Sequence, residues 1–219
     1  MLMLSIILII SYLLGSIPTS IIICKAVKDI DPRNYGSGNA GGTNVSRLLG
    51  WKYGLLVIVL DALKGAIAVI FVARLFYGAF PFENRTPFDD FTLVQILAGL
   101  AAVIGHIWTI FAGFKGGKGI ATSLGILISI ITIDMLIALA IFILVVSISK
   151  YISLGSILAG LSVPLIMIIR ENVFHVQING YGTLLPFSIL LSLLVIFTHR
   201  KNIQRLLRGD ESKISFGKK

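Results

Sequence analysis

Apolar runs alternate with short polar segments along the whole chain. The stretches near 3–24, 53–74, 91–112, 119–132, 134–149, 152–169 and 183–198 are almost free of charge. A helix needs about 20 residues to cross the hydrocarbon core of a bilayer, within a wide range, and the first three stretches fit that length. The run 119–149 is too long for one ordinary span at ~1.5 Å per residue. Its one charged residue, Asp134, lies near its middle. A tight turn at that residue avoids a charge at mid-bilayer. The pattern predicts an all-α, polytopic integral membrane protein with seven transmembrane helices rather than five.

The charges between the runs set an orientation. With the amino terminus outside, the inner segments 25–52, 113–118, 150 and 199–219 hold fifteen basic and four acidic residues. The outer segments hold Arg74, Arg85 and Arg170 against Glu83, Asp89, Asp90, Asp134 and Glu171. The net is +11 inside and −2 outside, and Asp61 and Lys64 cancel within the second run. Positive charge is retained on the cytosolic side, so the amino terminus is expected outside and the carboxyl terminus in the cytosol. The first run has no basic region before it and no small-residue cleavage site, which makes it a retained span rather than a signal peptide.

Composition agrees. Of 219 residues, 56 % are hydrophobic and 13 % charged. A soluble domain has about 25 % charged residues, and disorder needs low hydrophobicity, so both are excluded. A net charge of +9 would suggest nucleic acid in a soluble chain. Here the excess lies on one face, so a lipid bilayer and no nucleic acid is the expected surrounding. The single cysteine, Cys24, excludes a disulfide scaffold and a Cys-rich zinc site. The chain reads as one integral membrane domain over 1–219, with a polar cytosolic tail at 199–219. Gly15, Gly99, Gly105, Gly125, Gly155 and Gly160 lie in or beside spans, where glycine permits close helix contact. Pro18 and Pro164 are candidate kinks.

Three unusual polar stretches fall on the inner side. The first runs from Tyr35 to Arg47 and has four glycines, Gly36, Gly38, Gly41 and Gly42, within seven residues. Glycine lets backbone N–H groups converge on an anion. Ser37, Asn39, Thr43 and Asn44 add short hydrogen-bonding groups, and Arg47 offers a fork suited to phosphate. An anion site and a flexible connector are both open, and polar residues interleaved with glycine and closed by arginine favour the site. The spacing is not that of a P-loop.

The second stretch, Gly113-Phe114-Lys115-Gly116-Gly117-Lys118-Gly119, follows Gly105-His106. Its N–H groups suit an anion at a helix start, with Lys118 as a point charge. A tight loop carrying inner lysines is the alternative. The third, His199 to Gly209, places His199, Asn202 and Arg205 on one helical face. It reads either as a polybasic lipid anchor or as part of a site. Asp61 and Lys64, at i, i+3 within a span, are functional candidates or a self-neutralising pair. Ser153 could be a helix N-cap. His106 could be a structural histidine or a base. The histidines are far apart and inner carboxylates few, so no metal site and no cofactor is expected.

Phosphate loops beside lipid suit a reaction that joins a soluble phosphate to a fatty group. The residues also carry a resemblance. Gly15-Ser16-Ile17-Pro18, Gly36-Ser37-Gly38-Asn39 with Gly42-Thr43-Asn44 and Arg47, Asp61 with Lys64-Gly65, the Gly105-His106 and Gly113–Gly119 pair, Ser153 with Ser156, and His199-Arg200 with Asn202-Ile203 and Arg205 are similar in order to motifs of one family. They resemble the bacterial acyl-phosphate-dependent glycerol-3-phosphate acyltransferases, the PlsY family, from the first span to about residue 211. Departures are modest. Gly41-Gly42 stands where many members have Gly-Ala, and Asp210 lies between Gly209 and Glu211.

The resemblance implies a seven-helix, multi-pass enzyme of the bacterial plasma membrane with its active site on the cytosolic side. It implies acyl phosphate and glycerol 3-phosphate as substrates, lysophosphatidic acid and phosphate as products, and functional coupling to an enzyme that makes acyl phosphate. By position, Ser37, Arg47, Lys118, His199 and Asn202 resemble catalytic residues. Gly36, Gly38, Asn39, Gly42, Thr43, Asn44, Gly116, Gly117, Gly119, Ser153 and Arg205 resemble substrate- and phosphate-binding ones. Asp61, Lys64 and His106 are supporting. Either His199 or a substrate phosphate would accept the proton, and the surplus of cationic donors favours the phosphate. A phosphate transporter should show internal repeats, and none is convincing. A metal-dependent transferase needs clustered carboxylates, and a scaffold would leave the polar residues replaceable.

Overall fold

A computed structural model describes residues 2–76, 88–211 and 213, with Lys201 as backbone alone. The loop charges Glu83 and Arg85 and the tail lysines Lys218 and Lys219 lie outside these residues. The described chain is all-helical and forms two compact units, residues 2–76 with 90–130 and residues 88–89 with 131–213.

The first unit begins with α1 (Leu2–Gly15) and α2 (Thr19–Lys28). Continuity at 16–18 is lost at Pro18, which caps α2 and has no N–H to give. Freed carbonyls in an apolar setting need partners from within the protein. Thr109 Oγ1 donates to the Ser16 carbonyl and Lys64 Nζ to that of Ile17 at 3.1 Å. A short helix at Pro32–Asn34 leads to α3 (Gly42–Leu49) and α4 (Trp51–Ile67). The α4 rod continues through a wide turn at Ala68–Val72 and a tight one at Ala73–Leu75. Then come α5 (Asp90–Ile107) and α6 (Ile120–Ile130).

Two backbone-to-backbone seams hold this unit. A Cβ on Gly15 would overlap the Ala102 carbonyl, and one on Gly105 that of Tyr12, which locks α1 to α5. Gly65 against Thr122 and Gly125 against Ala62 lock α4 to α6 in the same way. Small residues at such seams give association its van der Waals energy where no water is expelled. Gly99 meets Ile126 and Val69, so it also serves packing.

The second unit contains α7 (Thr132–Ser149), α8 (Ile152–Asn172), α9 (Tyr181–Thr198) and α10 (Arg200–Arg208). Gly155 packs on Phe142 and Val146 of α7, and Gly160 on Val195 of α9. Pro164 lies inside the continuous α8. The turn expected at Asp134 falls at Ile131 instead, where the backbone leaves helical angles (φ −126°, ψ 55°). Asp134 sits buried in the first turn of α7, where the helix N-terminus favours an anion. Arg170 Nη1 meets its Oδ2 at 2.6 Å. The charge is thus paired, and nothing forces the turn onto it.

Among the described residues, six helical stretches are long and apolar enough to cross a membrane: Leu2–Lys28, Trp51–Leu75, Asp90–Ala112, Thr132–Ser149, Ile152–Asn172 and Tyr181–Thr198. The α6 helix has 11 residues and is roughly 16 Å long, about half a hydrocarbon core.

Candidate active site

The first glycine loop is wound around one side chain. Asn44, in the first turn of α3, is 1 % exposed. Its Nδ2 donates to the carbonyls of Pro32 (2.8 Å), Tyr35 (3.0 Å) and Asn39 (3.2 Å). Its Oδ1 accepts the Ser37 N–H at 2.9 Å. Gly36 and Gly38 turn the chain around it with φ of +61° and +69°. A Cβ on Gly36 would overlap Asn44 Oδ1. Asn44 therefore shapes the loop. Ser37, Thr43 and Arg47 are exposed, and their side chains make no hydrogen bond among the described residues.

The second loop folds back onto the end of α5. Phe114 N–H donates to Thr109 O at 2.8 Å, Gly116 N–H to Ile107 O at 2.9 Å and Gly117 N–H to His106 O at 3.1 Å. Gly119, with φ +77°, turns into α6 and leaves Lys118 exposed at its start. A Cβ on Gly117 would overlap His106 Nε2 and crowd Ala40 O at 2.7 Å, so this close approach requires glycine.

Arg33 ties the two loops together. Its Nη1 donates to Ala112 O at 2.7 Å and Lys115 O at 3.1 Å, while Nη2 meets Asp31 at 2.7 Å. The hydrogen bond from Arg33 holds the Asp31 carboxyl below its ordinary pKa, and Asp31 raises that of Arg33. Asp31, Arg33, Asn34, Gly38, Lys115 and Gly116 line an open cleft of about 440 Å³, within the size range of small-ligand sites. Sequence reading counted Arg33 only as inner charge. Its signal was the Asp31-Pro32-Arg33 turn, with Asp31 Oδ1 accepting the Arg33 N–H.

In the second unit, Glu211 gathers three of the expected site residues. Ser153 Oγ and Asn202 Nδ2 each donate to Oε1 at 2.8 Å, and Arg205 Nε to Oε2 at 2.6 Å. These bonds, Arg205 first, hold the Glu211 carboxyl down to about 2. Ser153 is not the N-cap of α8, since Tyr151 occupies that place. His199 caps α10, and its Nδ1–H donates to Val195 O at 2.9 Å. A carbonyl only accepts, so the neutral ring keeps its lone pair on Nε2. Glu211 was not among the expected site residues, and only the Gly209-Asp210-Glu211 ending pointed to it. Among the described residues, no group of three His, Cys, Asp or Glu side chains is placed to hold a metal ion.

The glycerol-3-phosphate acyltransferase family model matches residues 5–209. The chain belongs to that family. It is 45 % identical over 240 residues to the glycerol-3-phosphate acyltransferase of Pelodictyon phaeoclathratiforme, covering 100 % of both chains. It is 46 % identical over 233 residues to that of Chlorobaculum tepidum, covering 97 % of each. The solved structure of PlsY, an integral membrane glycerol 3-phosphate acyltransferase, in its glycerol 3-phosphate form matches with a TM-score of 0.68 and 37 % identity. That match covers 97 % of this chain and 96 % of the other. The lysophosphatidic acid form of PlsY matches with a TM-score of 0.67 and 36 % identity, covering 97 % and 95 %. This acyltransferase-family chain is thus a multi-pass membrane protein, as its motifs implied.

Proposed function

We propose that the chain transfers an acyl group from acyl phosphate to the 1-hydroxyl of glycerol 3-phosphate, giving lysophosphatidic acid and phosphate. The observation that carries this reading is the division of labour in the first unit. Asn44 and Arg33 are consumed in holding the glycine loops, while Ser37, Thr43, Arg47 and Lys118 stand exposed and unpaired among the described residues. Both substrates carry phosphate, and these groups with the loop N–H groups suit its oxygens.

The hydroxyl oxygen attacks the acyl carbonyl carbon, and the bond from that carbon to the phosphate oxygen breaks. Phosphate leaves with the electron pair. Arg47 and Lys118 stabilise the charge that grows on the carbonyl and the leaving group. Holding two phosphates fixes hydroxyl against carbonyl. A substrate phosphate oxygen takes the proton. Gly36, Gly42 and Gly119, with Asn39, supply backbone and amide donors, while Gly38, Gly116 and Gly117 spend their N–H groups on the Tyr35, Ile107 and His106 carbonyls and shape the loops. Asn202, Ser153 and Arg205 act through Glu211 to set the tail.

The charge asymmetry supports a cytosolic active site and tail, an amino terminus outside, and seven helices with α6 as the short one, in a bacterial plasma membrane. The whole chain acts as one domain, coupled to an enzyme that supplies acyl phosphate. Purified protein in detergent, given acyl phosphate and glycerol 3-phosphate without added metal or ATP, should release phosphate and lysophosphatidic acid in equal amounts. Folded protein that forms neither product overturns the reading.

A further inference from the structure

Asp61, Lys64, Thr19 and His106 meet inside the first unit. The Asp61 carboxylate is 1 % exposed. Its Oδ1 accepts Thr19 Oγ1 at 2.6 Å, and lies 3.0 Å from Lys64 Nζ and 3.5 Å from His106 Nδ1. Lys64 also donates to the Ile17 carbonyl at the helix break. Mutual neutralisation and capping of the break explain Lys64 and Thr19. They do not explain His106, which sits on α5 and turns its other ring nitrogen toward the second glycine loop.

That nitrogen, Nε2, lies so close to Gly117 that a Cβ there would overlap it. The His106 carbonyl accepts the Gly117 N–H, and the next carbonyl, of Ile107, accepts the Gly116 N–H. One residue therefore supports the loop with both its ring and its backbone. A carboxylate facing Nδ1 keeps the ring proton there and fixes the ring plane. Lys118 follows Gly117 directly, so its perch depends on how Gly116-Gly117 lie on His106.

We propose that Asp61 and His106 are positioning residues for the second glycine loop: the buried carboxylate sets the His106 ring, and His106 sets the height of Gly116-Gly117 and so the reach of Lys118. This rests on the assignment of Lys118 to a substrate phosphate. A structural role alone would lower thermal stability and active fraction without moving an apparent affinity.

The test compares Lys118→Ala, His106→Ala, His106→Asn, Asp61→Asn and the double variant His106→Ala/Lys118→Ala in detergent. Four quantities are measured: KM for each substrate, kcat, calorimetric binding of glycerol 3-phosphate and of inorganic phosphate, and thermal unfolding. The substrate whose KM rises in Lys118→Ala should show a rise of about tenfold in His106→Ala and Asp61→Asn, with kcat changed less. His106→Ala should cost little more in the Lys118→Ala background, because the two act through one element. His106→Asn keeps a donor facing Asp61 and should recover part of the loss. It also carries the test if His106→Ala fails to fold. Unchanged KM values, or effects that multiply in the double variant, overturn the proposal. If wild type turns over and the His106 variants match it, the proposal fails and the functional reading stands. If wild type is inactive but its phosphate-ligand affinities follow the expected variant order, the proposal stands and the functional reading fails. No turnover and no binding by folded wild type overturns both.

Discussion

Replacing Asn44 by Ala removes no charge and no exposed group, yet it should disable the enzyme. The two hydrogens of the amide nitrogen serve the Pro32, Tyr35 and Asn39 carbonyls, one of them shared, and the amide oxygen accepts the Ser37 N–H. Each of these bonds is worth about 0.5–1.5 kcal/mol net. Only the Pro32 bond is fully buried, so water re-forms part of what the other three lose. The ordered loop should therefore be destabilised by about 2–4 kcal/mol, which corresponds to a fall in kcat/KM of roughly 30- to 1,000-fold if the catalytic state needs that loop. The spans lie outside this network, so the thermal midpoint of the purified protein should change little. Initial rates at varied glycerol 3-phosphate, run beside thermal unfolding of the same samples, make the comparison. A native-like midpoint with kcat/KM within threefold of wild type would refute the claim that Asn44 holds the phosphate loop in shape (threefold is about 0.65 kcal/mol, well short of the loss expected).

Other residues give sharper contrasts. Gly117→Ala should lower kcat/KM by about a hundredfold through loop displacement, while Gly113→Ala, where a Cβ meets nothing within 4 Å and only the left-handed φ of +64° opposes it, should cost much less; steady-state kinetics compares them. Breaking the buried Asp134–Arg170 pair with Arg170→Ala should destabilise the second unit by about 3–5 kcal/mol, read as a lowered unfolding midpoint in detergent. Glu211 has its carboxyl pKa depressed to about 2 when folded, against about 4.3 unfolded. The folded state thus binds fewer protons than the unfolded state between these values. The contribution of Glu211 is full above pH ~4.3 and is lost as pH falls through about 2. Hydrogen exchange across α10 should show loosening in that window, and Glu211→Gln should flatten the response.

The spans were legible because a bilayer demands long apolar runs, and few charges interrupt them. The packing role of Gly15, Gly105 and Gly125 was legible for the same reason, since little else in an apolar helix allows backbones to touch. The break at 16–18 carried a signal in Pro18, but whether a proline kinks or ends a helix depends on which partners catch the freed carbonyls. Thr109 and Lys64 lie far away in sequence. Asp134 misled the turn because its partner Arg170 is 36 residues on. Asn44 looked like its neighbours Thr43 and Asn39, and only the positions of three carbonyls show that it is spent inside the loop. Arg33 and Glu211 were missed because each gains its role from a distant contact, Arg33 at Ala112 and Glu211 at Ser153.

The donor is the centre of the account, since a mixed anhydride is activated enough to react without a strong protein base. Purified wild-type protein should be supplied with glycerol 3-phosphate carrying ¹⁸O at its 1-hydroxyl, in parallel with acyl phosphate or with an acyl thioester as the only donor. The expected result is lysophosphatidic acid from acyl phosphate alone, with the ¹⁸O kept in the new ester and the released phosphate unlabelled. Product from the thioester alone, or loss of the label from the ester, would contradict it.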